Sequence, residues 1–433
     1  MSRIAQIALF ALNTLLAVSP PPAWSAFLTS EPVIANGADQ TDPAKTLHAN
    51  GVAALQAGDV AAAEKAFGEA RKANPRMPQP LIGLADVALL RGDRAEAKKW
   101  LDKAVQIAPA DDAALQALSA FYFTGKEYAQ AEATLKITLD KNSKNPRAWL
   151  DLGDLYATAL NRPSDAAAAY REVIKLAPDH AGAHHGLARA LAATGQYSEA
   201  EVAFRRAAVL APNLPVPLHS LARMQLSRGE TKAALASLDA VLKIEPKFLP
   251  ALLDKGDLAL SQGKSDTALA LYHQAVDTNP KSAAAHFKYG AVLQTRNQLE
   301  DAKKAYEMAI ELDPQFAEAY NNLAWMQAQL RNNLGQAAQY AATAVKLAPD
   351  NAAYRDTLGW VHRAQKQLPE AETVLEKAAT MQPPLADVQY HLGVVYAEQS
   401  KNDLARKAFE NALEIDPKHA EAKAALTRLA SGS

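Results

Sequence analysis

The sequence predicts an all-α protein, a solenoid of about eleven helix-turn-helix units, on the strength of three observations. Apolar residues make up 49% of the chain, much of it alanine, and aromatic residues only 6%, a composition that favours helices over strands. Proline recurs along the chain at intervals that are mostly 34 residues. Each repeat closes at one of these prolines, or at Ser143 in the repeat that lacks the proline. Alanine stands twelve residues before every such closing position. A fixed period of this length indicates stacked helical units rather than separate globular domains.

The repeat array runs from Asp42 to Pro417, with nine units of 34 residues and two of 35. The eleven alanines are Ala63, Ala97, Ala131, Ala166, Ala200, Ala234, Ala268, Ala302, Ala337, Ala371 and Ala405. A small residue also occupies position 8 of each first helix: Gly51, Ala85, Ser119, Gly153, Ala188, Ala222, Gly256, Gly290, Ala324, Gly359 and Gly393. Two helices approach closely only where small side chains meet, so these two positions predict the crossing point within each unit.

One unit reads KSAAAHFKYGAVLQTRNQLEDAKKAYEMAIELDP, with Gly290, Ala302, Tyr306, Ala309 and Pro314 at fixed spacing, and AWLDLGDLYA opens another. This pattern resembles the tetratricopeptide repeat (TPR), and the resemblance covers all eleven units. It implies an α-solenoid that forms a right-handed superhelix, with the first helices lining a concave groove. The segment 418–433, which includes HAEAKAALTRLA, is expected to form a capping helix and tail.

The N-terminus has the layout of a secretory signal peptide. Arg3 provides a positive charge, the apolar run from Ile4 to Val18 is short for a membrane span, and small residues precede a predicted cleavage after Ser25. We therefore expect a signal peptide over 1–25, a flexible linker over 26–41, and an exported, most simply periplasmic, protein without a membrane span after cleavage. A retained N-terminal anchor is the alternative.

Composition and motifs exclude several classes of function. The formal net charge is −1 and no basic block stands out, which argues against a nucleic-acid partner. The chain has no cysteine, and it contains no phosphate-binding loop, nucleophile elbow or HExxH motif. His180, His184, His185 and His219 cluster in sequence but lack the spacing of a zinc site. We expect no enzymatic activity, no cofactor and no metal.

Two tryptophans, Trp325 and Trp360, occupy position 9 of adjacent first helices. At 100° per residue, positions 4, 7, 8 and 11 face the core, whereas positions 2, 6, 9 and 13 face the opposite way. The pair should therefore lie side by side in the groove, on the order of 10 Å apart. The neighbouring candidates for ligand binding are Asn321, Asn322, Phe287, Arg355 and Tyr390. The alternative is that each indole only fills a gap between helices.

Charged residues follow the same face in alternating segments. His185, Arg189, His219 and Arg223 form a predicted basic patch at positions 5 and 9 of two units. Acidic pairs flank it, Asp151 with Asp154 and Asp254 with Asp257. Such alternation suits an extended partner with its own charge pattern, but the charges could equally pair across helices and keep the surface solvated.

These features predict an exported interaction scaffold that holds an extended segment of a partner protein or peptide. A second hypothesis comes from the last four units, where NNLAW and LAPDNAAYRDTLGW resemble TPR proteins of bacterial exopolysaccharide export and PEP-CTERM-type sorting systems. That resemblance implies a glycan-associated component of an export or envelope assembly complex, with polysaccharide or the export complex as a partner.

Overall fold

The computed structural model of the protein describes residues 42–430. Over this range it contains 23 α-helices and no strand, so the all-α class and the eleven helix pairs expected from the repeat are confirmed. None of the helices described has the length and apolarity needed to cross a lipid bilayer. The predicted signal peptide, the predicted linker and the last three residues of the tail lie outside the described residues.

The chain divides between Pro246 and Lys247 into two compact units, each of which contains several helix-turn-helix repeats. From here on, a unit is one of these two parts and a repeat is one helix pair. Within 42–246, the first unit contains six antiparallel helix pairs. Its helices are α1 (Pro43–Gln56), α2 (Val60–Ala73), α3 (Gln79–Leu90), α4 (Arg94–Ile107), α5 (Asp112–Thr124), α6 (Tyr128–Lys141), α7 (Pro146–Thr158), α8 (Pro163–Leu176), α9 (Ala181–Ala193), α10 (Tyr197–Leu210), α11 (Val216–Ser227) and α12 (Thr231–Ile244).

The second unit, described over 247–430, contains five pairs and a final single helix. Its helices are α13 (Leu249–Ser261), α14 (Ser265–Thr278), α15 (Ala283–Thr295), α16 (Leu299–Leu312), α17 (Ala317–Gln329), α18 (Leu334–Leu347), α19 (Ala352–Ala364), α20 (Leu368–Ala379), α21 (Ala386–Glu398), α22 (Asn402–Ile415) and α23 (Ala420–Ala430). We call the first helix of each pair the A helix and the second the B helix. Within each unit, an A helix packs on its own B helix, and that B helix packs on the next A helix.

Local sequence accounts for where the helices begin and end. The turn between α1 and α2 shows the usual pattern: Gly58 takes a left-handed conformation (φ +77°), and the Asp59 carboxylate then accepts a hydrogen bond from the Ala62 N–H at 2.9 Å. Asn297 replaces glycine at the equivalent turn between α15 and α16 and also has a positive φ, of 60°. Both turns therefore use a residue that tolerates the left-handed conformation.

The alanines of the B helices form the crossing point that the period predicted. All eleven have no solvent exposure in the structure. A methyl group is the largest side chain that fits where the A and B backbones come together, which explains why no other residue occurs at this position.

The small residue at position 8 has a different cause from the one expected. It faces a large side chain of the B helix rather than a second small residue. A Cβ on Gly51 would lie 2.5 Å from the buried ring of Phe67, and a Cβ on Gly83, in the next A helix, would lie 2.6 Å from the same ring. The ring of Tyr170 is enclosed by two glycines in the same way. Each such ring is therefore wedged between consecutive A helices and fixes their separation.

Gly83→Ala should destabilise the protein by about 1–3 kcal/mol, because the added methyl group overlaps the Phe67 ring and forces it to move. Gly68→Ala is the matched control. It lies in the adjacent helix, next to Phe67 in sequence, and an added Cβ would meet nothing within 4 Å. This variant should gain about 0.5–1 kcal/mol from helix propensity. Chemical denaturation of both variants measures the difference, and equal effects would contradict the wedge.

Candidate functional site

We define the A-helix face as positions 5, 6 and 9 of the A helices in each unit, and all the candidate residues except Arg355 stand at these positions. Neighbouring A helices are joined across this face by a recurring contact. The side chain at position 5 of one A helix forms a hydrogen bond with the side chain at position 6 of the next A helix, 35 residues later. The contacts are Gln116–Asp151 at 3.5 Å, His185–Ser220 at 3.0 Å and Asp356–His391 at 2.8 Å. These polar rungs hold the A helices in one register.

Trp325 and Trp360 stack directly on each other. Their ring centroids are 6.1 Å apart with an interplanar angle of 24°, closer than the 10 Å expected from helix spacing alone. Both side chains are partly exposed. Offset stacking at this distance is the favoured geometry for aromatic pairs and is worth about 0.5–1.5 kcal/mol beyond the area buried. The two indoles therefore form one aromatic surface rather than two separate side chains.

His391 joins this surface and was not among the residues predicted from sequence. Its imidazole lies 4.0 Å from the ring of Trp360 and 5.7 Å from that of Trp325, centroid to centroid. Its Nδ1–H donates to the Asp356 carboxylate, at 2.8 and 3.0 Å from the two oxygens, and both residues are buried. The 35-residue spacing between positions 5 and 6 is the signal that could have identified the pair.

An arginine flanks the stack. The guanidinium carbon of Arg363 lies 4.3 Å from the Trp360 ring centroid, within the range of a cation–π interaction. Arg363 also donates through Nε to Glu398 at 2.9 Å, which orients the guanidinium across the indole. The Trp360 ring thus contacts Trp325, His391 and Arg363, which immobilise it.

Asn321 supplies a polar group beside the aromatic surface. It precedes Trp325 by one helical turn and so shares its face. Its Nδ2 donates to Asn322 Oδ1 at 3.3 Å, whereas its own Oδ1 is buried without a hydrogen-bond donor among the described residues. A buried amide oxygen without a donor costs free energy, and a ligand N–H would satisfy it once the Asn321 side chain turns outward.

The structure corrects the orientation expected for three predicted site residues. Phe287 is buried, and its ring packs against Phe316 at 5.1 Å. Asn322 is also buried and donates to the Tyr306 hydroxyl at 3.4 Å. Arg355 stands at core-facing position 4, where its guanidinium donates back to the Pro349 carbonyl at 3.1 Å. For Phe287 and Asn322, the helical wheel treats a helix in isolation and so misses contacts with neighbouring elements, whereas for Arg355 the wheel itself gives a core-facing position.

Tyr390 takes a peripheral place beside the stack. Its ring contacts His391 at 5.4 Å and His419 at 5.2 Å. The aromatic cluster that the structure brings together therefore consists of Trp325, Trp360, His391 and Tyr390, with Asn321 and Arg363 at its edges. Among the residues described, no group of three or more His, Cys, Asp or Glu could hold a metal ion.

Comparison with known proteins assigns the family. Four models described as the tetratricopeptide repeat match the chain: one over 54–121, 157–223, 225–286 and 259–330, and the others over 115–161, 351–382 and 386–419. Together they match more than half of the sequence. The chain belongs to the tetratricopeptide repeat family. No curated protein matches it in sequence.

Several solved structures resemble this TPR protein at low identity. The APC/C hetero-tetramer Cut9–Hcn1 is 14% identical, with 89% of this chain and 96% of that chain covered and a TM-score of 0.47. Yeast Tom70 is 16% identical over 90% and 95% of the two chains, with a TM-score of 0.41. YrrB, described as a TPR protein with an unusual peptide-binding site, is 22% identical over 43% and 96%, with a TM-score of 0.36. Likenesses at this level imply no shared partner.

The predicted basic patch is only partly basic in this TPR protein. Arg189 and Arg223 are exposed and His219 is half-buried. Burial, reinforced by the nearby charge of Arg189, lowers the pKa of His185 to about 4, so this imidazole is neutral at pH 7. Its ring lies 5.7 Å from Phe204, and its Nε2 is bonded to the Ser220 hydroxyl. His185 is therefore part of the packing between repeats.

The flanking acids have partners within the protein. Asp151 is fully buried, and its carboxylate accepts from Arg147 Nε at 2.9 Å. Burial raises the pKa of Asp151 to about 6 against the opposing effect of Arg147. Asp154 accepts from the Tyr170 hydroxyl at 2.7 Å. These contacts favour the alternative in which the acidic side chains are paired with other side chains of the protein rather than with a partner.

The His185 shift predicts how stability depends on pH. The folded-state pKa lies below the unfolded value of 6.5, so stability is lost as pH falls from 6.5 through 4. Relative to His185→Gln, which can keep the bond to Ser220 without titrating, the wild type should lose roughly 2 kcal/mol between pH 7 and pH 4. Denaturation of both proteins across this range measures the difference. A constant difference would contradict a buried, neutral His185.

Proposed function

We propose that this TPR protein is a scaffold that binds an extended segment of a partner protein across the aromatic cluster of its second unit. Members of the family typically mediate protein–protein interaction and are not typically enzymes. The observation that favours this place over others is the stacked, partly exposed Trp325–Trp360 pair beside the unsatisfied oxygen of Asn321. An extended segment offers both an apolar side chain for the indoles and a backbone N–H for the amide.

The geometry also supports preorganised binding. The buried Asp356–His391 pair and the Arg363–Glu398 pair fix the indoles before a ligand arrives. Binding then costs little side-chain entropy at the anchor residues. A stiff solenoid can in this way hold a flexible segment through non-covalent contacts alone. Aromatic residues of this kind are the usual hot spots of protein interfaces.

Peptides selected from a random display library should bind the wild type and lose affinity at least about tenfold, or about 1.4 kcal/mol, for Trp325→Ala/Trp360→Ala. Asn321→Ala should lose about threefold, the effect of one hydrogen bond. Trp149→Ala is the control, because that side chain lies in the first unit and its Nε1–H donates to the Ser143 carbonyl. Isothermal titration calorimetry measures each affinity, because the double variant lacks the two indoles on which a fluorescence titration would depend.

Circular dichroism must show that the double variant remains folded. Unchanged affinity in a folded double variant would leave the indoles with a packing role alone. Should the same variant instead lose binding to a panel of bacterial exopolysaccharides, with no peptide bound by the wild type, the glycan-associated function would replace the protein scaffold. Chemically cross-linked capture from the native envelope would then identify the export component.

We propose in addition that the protein is exported and acts outside the cytoplasm. The sequence over 1–25 supports this, with Arg3 before an apolar run and small residues before the cleavage position. Mass spectrometry of the protein from its native host should find an N-terminus at Ala26. An intact N-terminus recovered in the membrane fraction would instead establish a retained anchor.

A further inference from the structure

Basic side chains packed over aromatic rings recur in the part of the chain that the structure describes, and six of these contacts share a third member. In each of the six, the basic side chain over the ring also donates to a carboxylate. The six are Arg94 over Phe121 with Glu127, Lys98 over Tyr122 with Asp102, Arg162 over Tyr156 with Asp165, Arg228 over Tyr197 with Glu230, Arg363 over Trp360 with Glu398, and Lys401 over Tyr396 with Glu372. The ring and the carboxylate together hold the cation in place, and the carboxylate balances its charge.

Arg71 forms the seventh contact of this kind and lacks the carboxylate. Its guanidinium carbon lies 5.1 Å from the ring centroid of Trp100, so the contact joins α2 to α4. No carboxylate of the described residues forms a hydrogen bond or an ion pair with this guanidinium. Glu96, one helical turn before Trp100, accepts from the indole Nε1–H at 3.2 Å instead. By comparison with the other six, the Arg71–Trp100 contact is incomplete.

The end of the Arg71 guanidinium is open to solvent. The side chain as a whole is partly buried. Its Nε is buried and has no acceptor, whereas the two terminal nitrogens are not buried and have no acceptor among the described residues either. A carboxylate can accept two parallel hydrogen bonds from the terminal nitrogens of one guanidinium, because the spacing of its oxygens matches theirs. The open end of Arg71 therefore fits a carboxylate supplied from outside the chain.

Four more basic side chains belong to the same part of the two helices. Lys103 stands one helical turn after Trp100, and Lys99 stands one turn before Lys103, which puts two like charges on one face of α4. Lys72 stands at the end of α2, and Arg76 stands in the turn after it. All four are exposed, and none forms an ion pair with a described residue.

The acids of α2 and α4 do not balance these charges. Glu64 forms an ion pair with Arg91, at 2.6 Å. Asp102 forms one with Lys98, at 2.7 Å. Glu69 is the one further acid of the two helices that has no partner among the described residues. This part of the B helices therefore carries an excess of positive charge that is not compensated from within the described chain.

We propose that Arg71, held on Trp100, binds the carboxylate of an aspartate or glutamate side chain in an acidic segment of a partner protein, and that Lys103 adds to the attraction. An acidic segment complements both the open guanidinium and the lysines beside it, because carboxylates accept hydrogen bonds and carry the opposite charge. Stacking on the indole preorganises the guanidinium for binding. The site lies on the B helices of the first unit, so it does not depend on the function proposed for the aromatic cluster.

Binding of an acetylated and amidated hexaglutamate peptide to the full chain tests the site. The peptide should shift the indole N–H resonance of Trp100 with saturation, and Trp100→Phe identifies that resonance. Arg71→Gln should weaken the affinity at least about tenfold, because it removes the hydrogen bonds that a charged group provides. Arg71→Lys keeps the charge but not the planar fork, so it should recover only part of the affinity. NMR titration at one fixed ionic strength measures each affinity.

Lys65→Gln is the matched control. It removes the same charge from the same helix, and Lys65 is exposed and has no ion pair with a described residue. It should change the affinity by less than about twofold, because one exposed charge away from the contact contributes little. Lys103→Gln should weaken the affinity about threefold, because its charge acts close to the bound carboxylate. Circular dichroism checks that each variant is folded, and Arg71→Lys with Lys103→Gln decides the matter should Arg71→Gln not fold.

Each outcome supports or contradicts the proposal. A saturating shift at Trp100 that Arg71→Gln weakens and Lys65→Gln does not would establish the site. Equal weakening by both variants would show attraction by overall charge and would overturn it, as would the absence of a shift. A shift confined to Trp325 or Trp360 would place the peptide at the aromatic cluster instead. Phosphatidylglycerol vesicles that shift Trp100 when the peptide does not would replace the acidic protein segment with a membrane surface.

Discussion

A B-helix ring that packs between two consecutive A helices fixes the spacing of the repeats in which it occurs. Phe67 occupies the space that side chains on Gly51 and Gly83 would fill, and this places the two A backbones at a fixed distance and register. The repeat period follows from this packing, because a shift of one residue would bring a Cβ into the ring. Contacts between the A helices of such repeats share that register.

The polar rungs are one consequence. Because position 5 of one A helix meets position 6 of the next, Asp356 can pair with His391 and His185 with Ser220. The same register makes a rung incomplete when one partner is missing, as with His48 opposite Gly83. The A-helix face is therefore a series of equivalent places, most of them satisfied internally, and the unsatisfied ones stand out by comparison with their own repeats.

The aromatic cluster depends on burial of a polar pair. Removing either Asp356 or His391 would leave the other buried without its hydrogen-bond partner, which typically costs about 1–3 kcal/mol. Their pairing holds the imidazole 4.0 Å from Trp360 and thereby fixes the Trp360–Trp325 stack. The rigidity that suits binding and the packing that suits stability come from the same contacts, which is why the two roles of the tryptophans could not be separated by pattern alone.

The sequence by itself determined the helix class, the number of repeats, the turns and the fully buried alanines, because each depends on spacing within one repeat and on local backbone chemistry. It also placed Trp325 and Trp360 on one face. Only the tertiary structure decided which predicted residues reach that surface. Phe287 and Asn322 turned inward, and His391 joined the cluster. The physical reason is that burial and pairing depend on side chains 16 to 35 residues away, which single-helix geometry does not include.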